Sequence, residues 1–550
     1  MFDSTHQGWR AWDHREAKGE TIMDPRTWSV PGFGRRSLLA LGGATTLAST
    51  FPSDGRAAAG KTFITANNSP YDTLDPHMVF DIGRIASRLN MYDCLVRWVD
   101  NPPKLSMWLA DNITVAPDNV TYTVTLKKSA TFHDGSPITA DDVAYSMERI
   151  LGMKQGAYGL FKGVIDPGKT KAIDTGTVQF TLNKPYAVFT SILAELWVVN
   201  RKLVKANEKS GDWGSTWLSR NDAGSGGFKL HRYDPAIGFQ AERFDPHFMG
   251  FGKSNITSTE FRVVLETASR ALGLEKAEFN TTDGYLPQDQ IKRLRTVKSV
   301  QILEQESLRT MYFIIHNQRA PLTDVNLRKA LSYAFDYDGF INHILGGSVA
   351  RNGGIIPNTM WGVPKDLAGY TYDLDKAKQH LAMVKAPMRP LDIGVLAGFD
   401  QSEAAAQLLQ AGCAKIGIAT KLNSEPWPVI SGKFSDPEKM HDLVPLWRSA
   451  YFADPHNWTG AIYNSRSIGA GNASFYKNAK FDELTDKALE LTGIDQRRPL
   501  YEEASRILVQ DAAGIFIYNT KWYGPFTTNV HDVRFCPIGD SQDIRWMSMS

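Results

Sequence analysis

The sequence predicts an α/β protein built from two or three lobes. Strand-like and helix-like segments alternate from Lys61 to Tyr518, the pattern of mixed α/β layers. The 550 residues exceed one domain of roughly 100–200 residues. Hydrophobic residues at 42% and charged residues at 22% are ordinary globular usage.

The elements follow in order. Lys61–Ala66 reads as a first strand, and Asp81–Leu95 as a helix with Ile82, Ile85, Leu89 and Tyr92 at helical spacing. Thr121–Leu126 alternates as a half-buried strand does. His133-Asp134-Gly135-Ser136-Pro137 is a turn in which Gly135 accepts positive φ. Thr139 and Asp142 then form a capping box that starts a helix striped by Val143, Met147 and Ile150. A further strand covers Thr177–Leu182. Gly224-Ser225-Gly226-Gly227 lacks the Lys-Ser/Thr of a phosphate loop, so it reads as a turn into the strand Phe228–Arg232. Asp324 caps a helix to Phe335, and Asp373 caps another with Leu374, Ala377 and Leu381 inward. Glu403–Ile416, Phe481–Leu491 and Leu500–Val509 are further helices. Strands at Met311–Ile315, Leu391–Val395, His441–Leu446 and Gly514–Tyr518 alternate with them.

The first 59 residues read as an export signal (1–59). Arg35-Arg36 precedes a weakly apolar run from Leu38 to about Phe51, and Ala57-Ala58-Ala59-Gly60 offers small residues for cleavage. Adjacent arginines before such a run resemble a twin-arginine signal, with Met23 an alternative start. No cysteine lies near the cleavage point to take a lipid. The mature chain is therefore expected free in the periplasm of a two-membrane (Gram-negative) bacterium.

Several function classes are excluded or unsupported. A net charge of +2 gives no broad field for nucleic acid or an anionic membrane. There is no run of about 18 apolar residues. Cys94, Cys413 and Cys536 are too widely spaced for CxxC redox or zinc patterns, and free buried thiols are expected. His133 belongs to its turn, while His316, His343, His380, His441 and His456 are scattered without metal-ligand spacing. No metal and no cofactor is called. An exported hydrolase is a rival reading, but no GxSxG, HExxH or Cys-His signature supports it. A binding protein serving chemoreception or another non-importer partner is a third.

The run Thr121-Tyr122-Thr123-Val124 … Phe132-His133-Asp134-Gly135-Ser136-Pro137-Ile138-Thr139-Ala140-Asp141-Asp142-Val143 resembles the signature of the family 5 solute-binding proteins of ABC importers, the peptide, dipeptide and nickel group. Supporting matches come in the family's order: Leu74-Asp75-Pro76, Gly224–Phe228, Arg328–Asp336, Ile356–Gly362 and Asp454-Pro455-His456-Asn457-Trp458. The resemblance implies a two-lobed periplasmic binding protein of class II type with a hinge and an extra β-rich subdomain on lobe I. It places lobe I at 61–104, 226–312 and 519–550, the subdomain at 105–225, and lobe II at 313–518. It implies a non-enzymatic monomer that captures a peptide or peptide-like small solute between closing lobes and delivers it to a permease and ATPase complex.

The same resemblance points to a pocket. In peptide-binding relatives an Asp four residues before the Pro of the Asp-Pro pair holds the ligand's α-ammonium. Here that position is Tyr451, and Asp454 is the nearest carboxylate. Tyr451 suits stacking or one hydrogen bond, and Arg448 suits a bidentate carboxylate clamp. Trp427, Trp447 and Trp458 flank this stretch as candidate walls. From lobe I, Tyr71 and Asp72 lie in the loop that reaches the ligand in relatives.

Overall fold

A computed structural model describes residues 60–80, 84–284, 286–539 and 541–550. The expected signal segment and the expected helix start at 81–83 lie outside them.

In chain order, β1 (Lys61–Asn67) leads to α1 (Ile85–Met91). The strands β2 (Ala110–Val115) and β3 (Thr121–Leu126), the helix α2 (Ala140–Met153), and the strands β4 (Thr170–Asp174) and β5 (Thr177–Thr181) follow. Next come β6 (Phe228–Asp234), β7 (Gly238–Arg243), β8 (Ile256–Val263) and β9 (Thr281–Thr282). The 16-residue β10 (Val300–Ile315) leads into α3 (Val325–Ala334) and α4 (Leu374–Ala382). The strand β11 (Leu391–Leu396), α5 (Asp400–Lys415), β12 (Thr420–Glu425), α6 (Trp427–Gly432) and β13 (Leu443–Arg448) alternate. Finally α7 (Ala479–Glu490) and α8 (Ile494–Gln510) precede the 14-residue β14 (Gly514–Thr527).

One sheet runs through both lobes in the order β12-β11-β13-β10-β14-β9-β1-β8-β7-β6. The antiparallel pair β10 and β14 is shared by the two halves. Its register slips between Glu306 and Thr310. A separate antiparallel sheet, β2-β3-β5-β4, builds the β-rich subdomain. Its strand β3 buries Tyr122, Val124 and Leu126, and α2 lays Val143, Met147 and Ile150 into the same apolar cluster. The capping box of Thr139 and Asp142 starts α2 as read from sequence. Gly135 takes φ +84° in the preceding turn, a conformation that side chains with a Cβ resist. His133 fastens the turn to Asp222 at 2.8 Å and to the Gly226 carbonyl oxygen at 2.9 Å.

The second lobe packs α3 and α5 on its sheet around Phe313, Leu331, Phe335, Ile393 and Leu409. The first gathers Phe63, Phe228, Phe239 and Phe261. Asp324 and Asp373 cap their helices by accepting the amides of Asn326 and Lys376. Cys94, Cys413 and Cys536 are all buried, and none is in a disulfide among the described residues. Several expectations were too short, and the helix expected to reach Leu95 ends at Met91. The Met311–Ile315 and Gly514–Tyr518 strands extend into β10 and β14, the first strand runs to Asn67, and the last helix starts at Ile494 and continues through Pro499.

Candidate functional site

In α/β lobes the carboxyl ends of parallel strands are where side chains gather free of the sheet. In the first lobe β1 runs parallel to β8 and β9, and these strands end at Asn67, Val263 and Thr282. In the second, β11 runs parallel to β12 and β13, which end at Glu425 and Arg448. Both sets of ends meet the crossing strands. Thr310 of β10 pairs with Arg448, and Trp522 of β14 lines a cavity with Asn67 and Thr282.

That cavity measures about 70 Å³, room for several waters or one small polar group. Asp283 and Arg309 supply its charge, and Phe63 and Trp522 its apolar wall. Asp283 is already engaged by Arg270 at 3.2 Å and by the Asn68 amide at 3.0 Å. Thr282 Oγ1 is buried and has no hydrogen-bond partner among the described residues.

Across the cleft, Asn457 organises the second-lobe loop. Its side-chain amide donates to the Ser449 carbonyl at 3.0 Å, and its Oδ1 accepts the Tyr451 amide at 3.3 Å. Arg448 donates from Nε to the Asn457 carbonyl at 2.9 Å and from Nη2 to Asn457 Oδ1 at 3.2 Å. No carboxylate pairs with Arg448 among the described residues. Burial lowers its guanidinium below the ordinary arginine range, and the ionisable groups facing it are Tyr451 and Tyr312. It remains charged at neutral pH.

Tyr451 stacks on Phe80 of the first lobe, with ring centroids 4.0 Å apart. The face expected to meet a ligand is thus covered by a residue from the opposite side of the cleft. Trp447 donates from Nε1 to the Tyr518 hydroxyl at 3.1 Å, and the Arg309 guanidinium lies 5.0 Å from its ring. Arg448 and Tyr451 are thus brought together, the guanidinium 5.3 Å from the ring, while Trp447, the preceding residue of β13, lies on the other face of the sheet.

The other sequence candidates are placed differently. Asp454 is buried, with Arg497 on both oxygens at 2.7 and 2.9 Å, and it also caps the short turn at His456. Its charge is spent on the fold. Trp458 is fully buried in the second-lobe core. Tyr71 is buried against Phe239 and Phe261 and accepts a hydrogen bond from Asn67. Trp427, 38% exposed, begins α6 and packs edge-on against Phe434. Asp72 is exposed and pairs with Arg84. In these five the alternation of strand ends, caps and cores outweighs proximity in sequence.

Sequence reading missed Asn67, Thr282, Arg309, Thr310, Asn457 and Asn519. The signal available was polar residues interrupting apolar strands, Glu304–Thr310 in β10 and Asn519–Lys521 in β14. Among the described residues no group of three or more His, Cys, Asp or Glu is set to hold a metal ion, and no helix is long and apolar enough to cross a membrane.

The model of "Bacterial extracellular solute-binding proteins, family 5 Middle" matches residues 104–470. The "Probable D,D-dipeptide-binding periplasmic protein DdpA" of Escherichia coli K12 is 31% identical over 511 residues, covering 92% of this chain and 96% of its own. The "Dipeptide-binding protein" of the same organism is 27% identical, covering 82% and 88%. Among solved structures, the periplasmic binding protein DppA from Helicobacter pylori in complex with the peptide STSA superposes with a TM-score of 0.80 at 22% identity, over 89% of this chain and 98% of that one.

Proposed function

The chain belongs to the family 5 bacterial extracellular solute-binding proteins, and from that membership we propose that it captures a peptide or peptide-like small solute between its lobes and hands it to an ABC permease and ATPase complex. One observation carries the reading: the carboxyl ends of the parallel strands from both lobes lie against the crossing strands β10 and β14, with a polar cavity at the first-lobe ends. Enclosed sites of this kind take small solutes through a few placed polar groups. The names of the two Escherichia coli relatives, which bind dipeptides, favour a short peptide.

The lobes in this reading are 61–104, 226–312 and 519–550 for the first, 105–225 for its subdomain and 313–518 for the second. The hinge lies at the register slip of β10 and the facing Asn519–Lys521 of β14. Domain closure about a few such residues is a known repertoire. Export through the Arg35-Arg36 signal to the periplasm of a Gram-negative cell completes the proposal.

Mass spectrometry of the solute released from the purified mature protein, followed by calorimetry with L,L and D,D dipeptides, tests it. A recovered short peptide or peptide analogue that binds back unchanged fits the reading. A solute that is turned over into product contradicts it and favours the hydrolase.

A further inference from the structure

We propose that Arg448 sets the specificity of the cleft: the solute is selected by a carboxylate laid on this guanidinium, and a free α-ammonium is not required. The proposal deepens the peptide-like reading above and rests on it.

Four carboxylates near the strand ends and the 449–457 loop are already matched by cations. Asp72 pairs with Arg84, Asp283 with Arg270, and Asp454 with Arg497 through both oxygens. Glu425 is held by Lys433 at 2.6 Å and by His441 at 3.0 Å. Glu306, exposed on β10, lies opposite Lys521 in register, while the Lys521 ammonium bonds Glu304 at 2.9 Å. An ammonium entering the cleft finds the four paired carboxylates already facing a cation. Arg448 is in the reverse position: Asn457 takes its Nε and Nη2, and its Nη1 has no partner among the described residues.

The row across the sheet at Arg448 reinforces this. Thr310 stands directly opposite Arg448 on one side and opposite Asn519 on the other, and residues directly opposite in antiparallel strands share a face. Thr310 and Asn519 are buried, and neither Thr310 Oγ1 nor Asn519 Nδ2 has a partner among the described residues. Asn519 Oδ1 accepts the Asn358 amide at 3.2 Å, which leaves its two N–H donors uncommitted. A guanidinium, a hydroxyl and an amide NH₂ in one row offer donors to an anion and little to a cation.

Calorimetry on the full mature protein decides the matter with alanyl-alanine, its N-acetyl derivative and its C-terminal amide, in both chiralities. The expected result is that acetylation changes Kd by less than about threefold. Amidation should weaken binding roughly tenfold to a hundredfold, the worth of one charge-assisted hydrogen bond. Arg448→Gln should erase the difference between acid and amide, and Arg448→Lys should restore part of it. Acetylation costing as much as amidation, or an acid-to-amide ratio unchanged in Arg448→Gln, overturns the proposal. The first of these measurements needs no variant. If none of the six compounds binds, the peptide-like reading fails on its own, and the solute released from the protein becomes the probe. Loss of about tenfold on neutralising its anionic group, absent in Arg448→Gln, upholds the proposal; a recovered solute with no anionic group overturns it.

Discussion

Asp454 and Arg448 lie six residues apart and handle charge in opposite ways. Asp454 is buried in a two-point ion pair with Arg497, whose guanidinium also lies 5.2 Å from the Trp361 ring. Removing one partner of such a pair strands the other in low dielectric, at a cost of about 3–5 kcal/mol. Asp454→Asn is therefore expected to lower the unfolding free energy by about that amount, read from urea midpoints; a loss under about 1 kcal/mol, within the usual surface range, contradicts the assignment. His441 shows a second charge arrangement. Its ring lies over Gly394, where an added Cβ would come within 2.4 Å of it. Its Nδ1 meets Asp392 at 2.5 Å and its Nε2 meets Glu425 at 3.0 Å, with Lys433 and Lys421 the neighbouring cations. The hydrogen bond to Asp392 leads in raising the imidazole pKa, burial opposes it, and Glu425 adds to the rise. A group whose pKa rises on folding adds stability that is complete below its unfolded value, about 6.5, and is lost as pH climbs through the folded value. Asp392 and Glu425 are both held below the usual carboxylate range, so they stay ionised throughout that window. His441→Gln should thus destabilise most below about pH 6.5 and progressively less as pH rises. A stability gap that widens with pH in denaturation curves contradicts the arrangement.

At the scale of elements, α2 was legible because its grammar is local. The turn at His133–Pro137, the Thr139–Asp142 box and the Val143-Met147-Ile150 stripe occupy one short stretch, and each demands the next. Thr139→Ala leaves the Thr139 partners at the helix start unfilled and should cost about 1 kcal/mol, measured as a shift in the denaturation midpoint; an unchanged midpoint would remove the cap from the account. The strands β10 and β14 were only half legible. Glu304-Gln305-Glu306 and Asn519-Thr520-Lys521 break the apolar pattern where the register of β10 against β14 slips and Glu304–Glu306 are exposed. The site shares that difficulty. Arg448, Tyr451 and Trp447 were within reach of sequence because they sit in one short stretch, the end of β13 and the loop after it, beside a recognisable Asp-Pro pair. Asn67 and Thr282 meet at the cavity, and Thr310 and Asn519 face each other across β10 and β14; both pairs come from separate strands and form only through the register of the sheet. Asp454 and Trp458 drew attention by their position in the same motif, yet burial gives them partners inside the lobe.

At the scale of the molecule, a sheet continuous through two long strands lets two lobes move while their cores stay intact. In the proposed closure the ladder bends at the slip between Glu306 and Thr310, and Phe80 stacks on Tyr451. Capture by closure is the central claim, and small-angle X-ray scattering of the mature protein, first stripped of solute and then saturated with the recovered one, tests it most directly. The radius of gyration should fall on saturation. An unchanged radius, with calorimetry showing every site filled, would contradict closure of two hinged lobes around the solute.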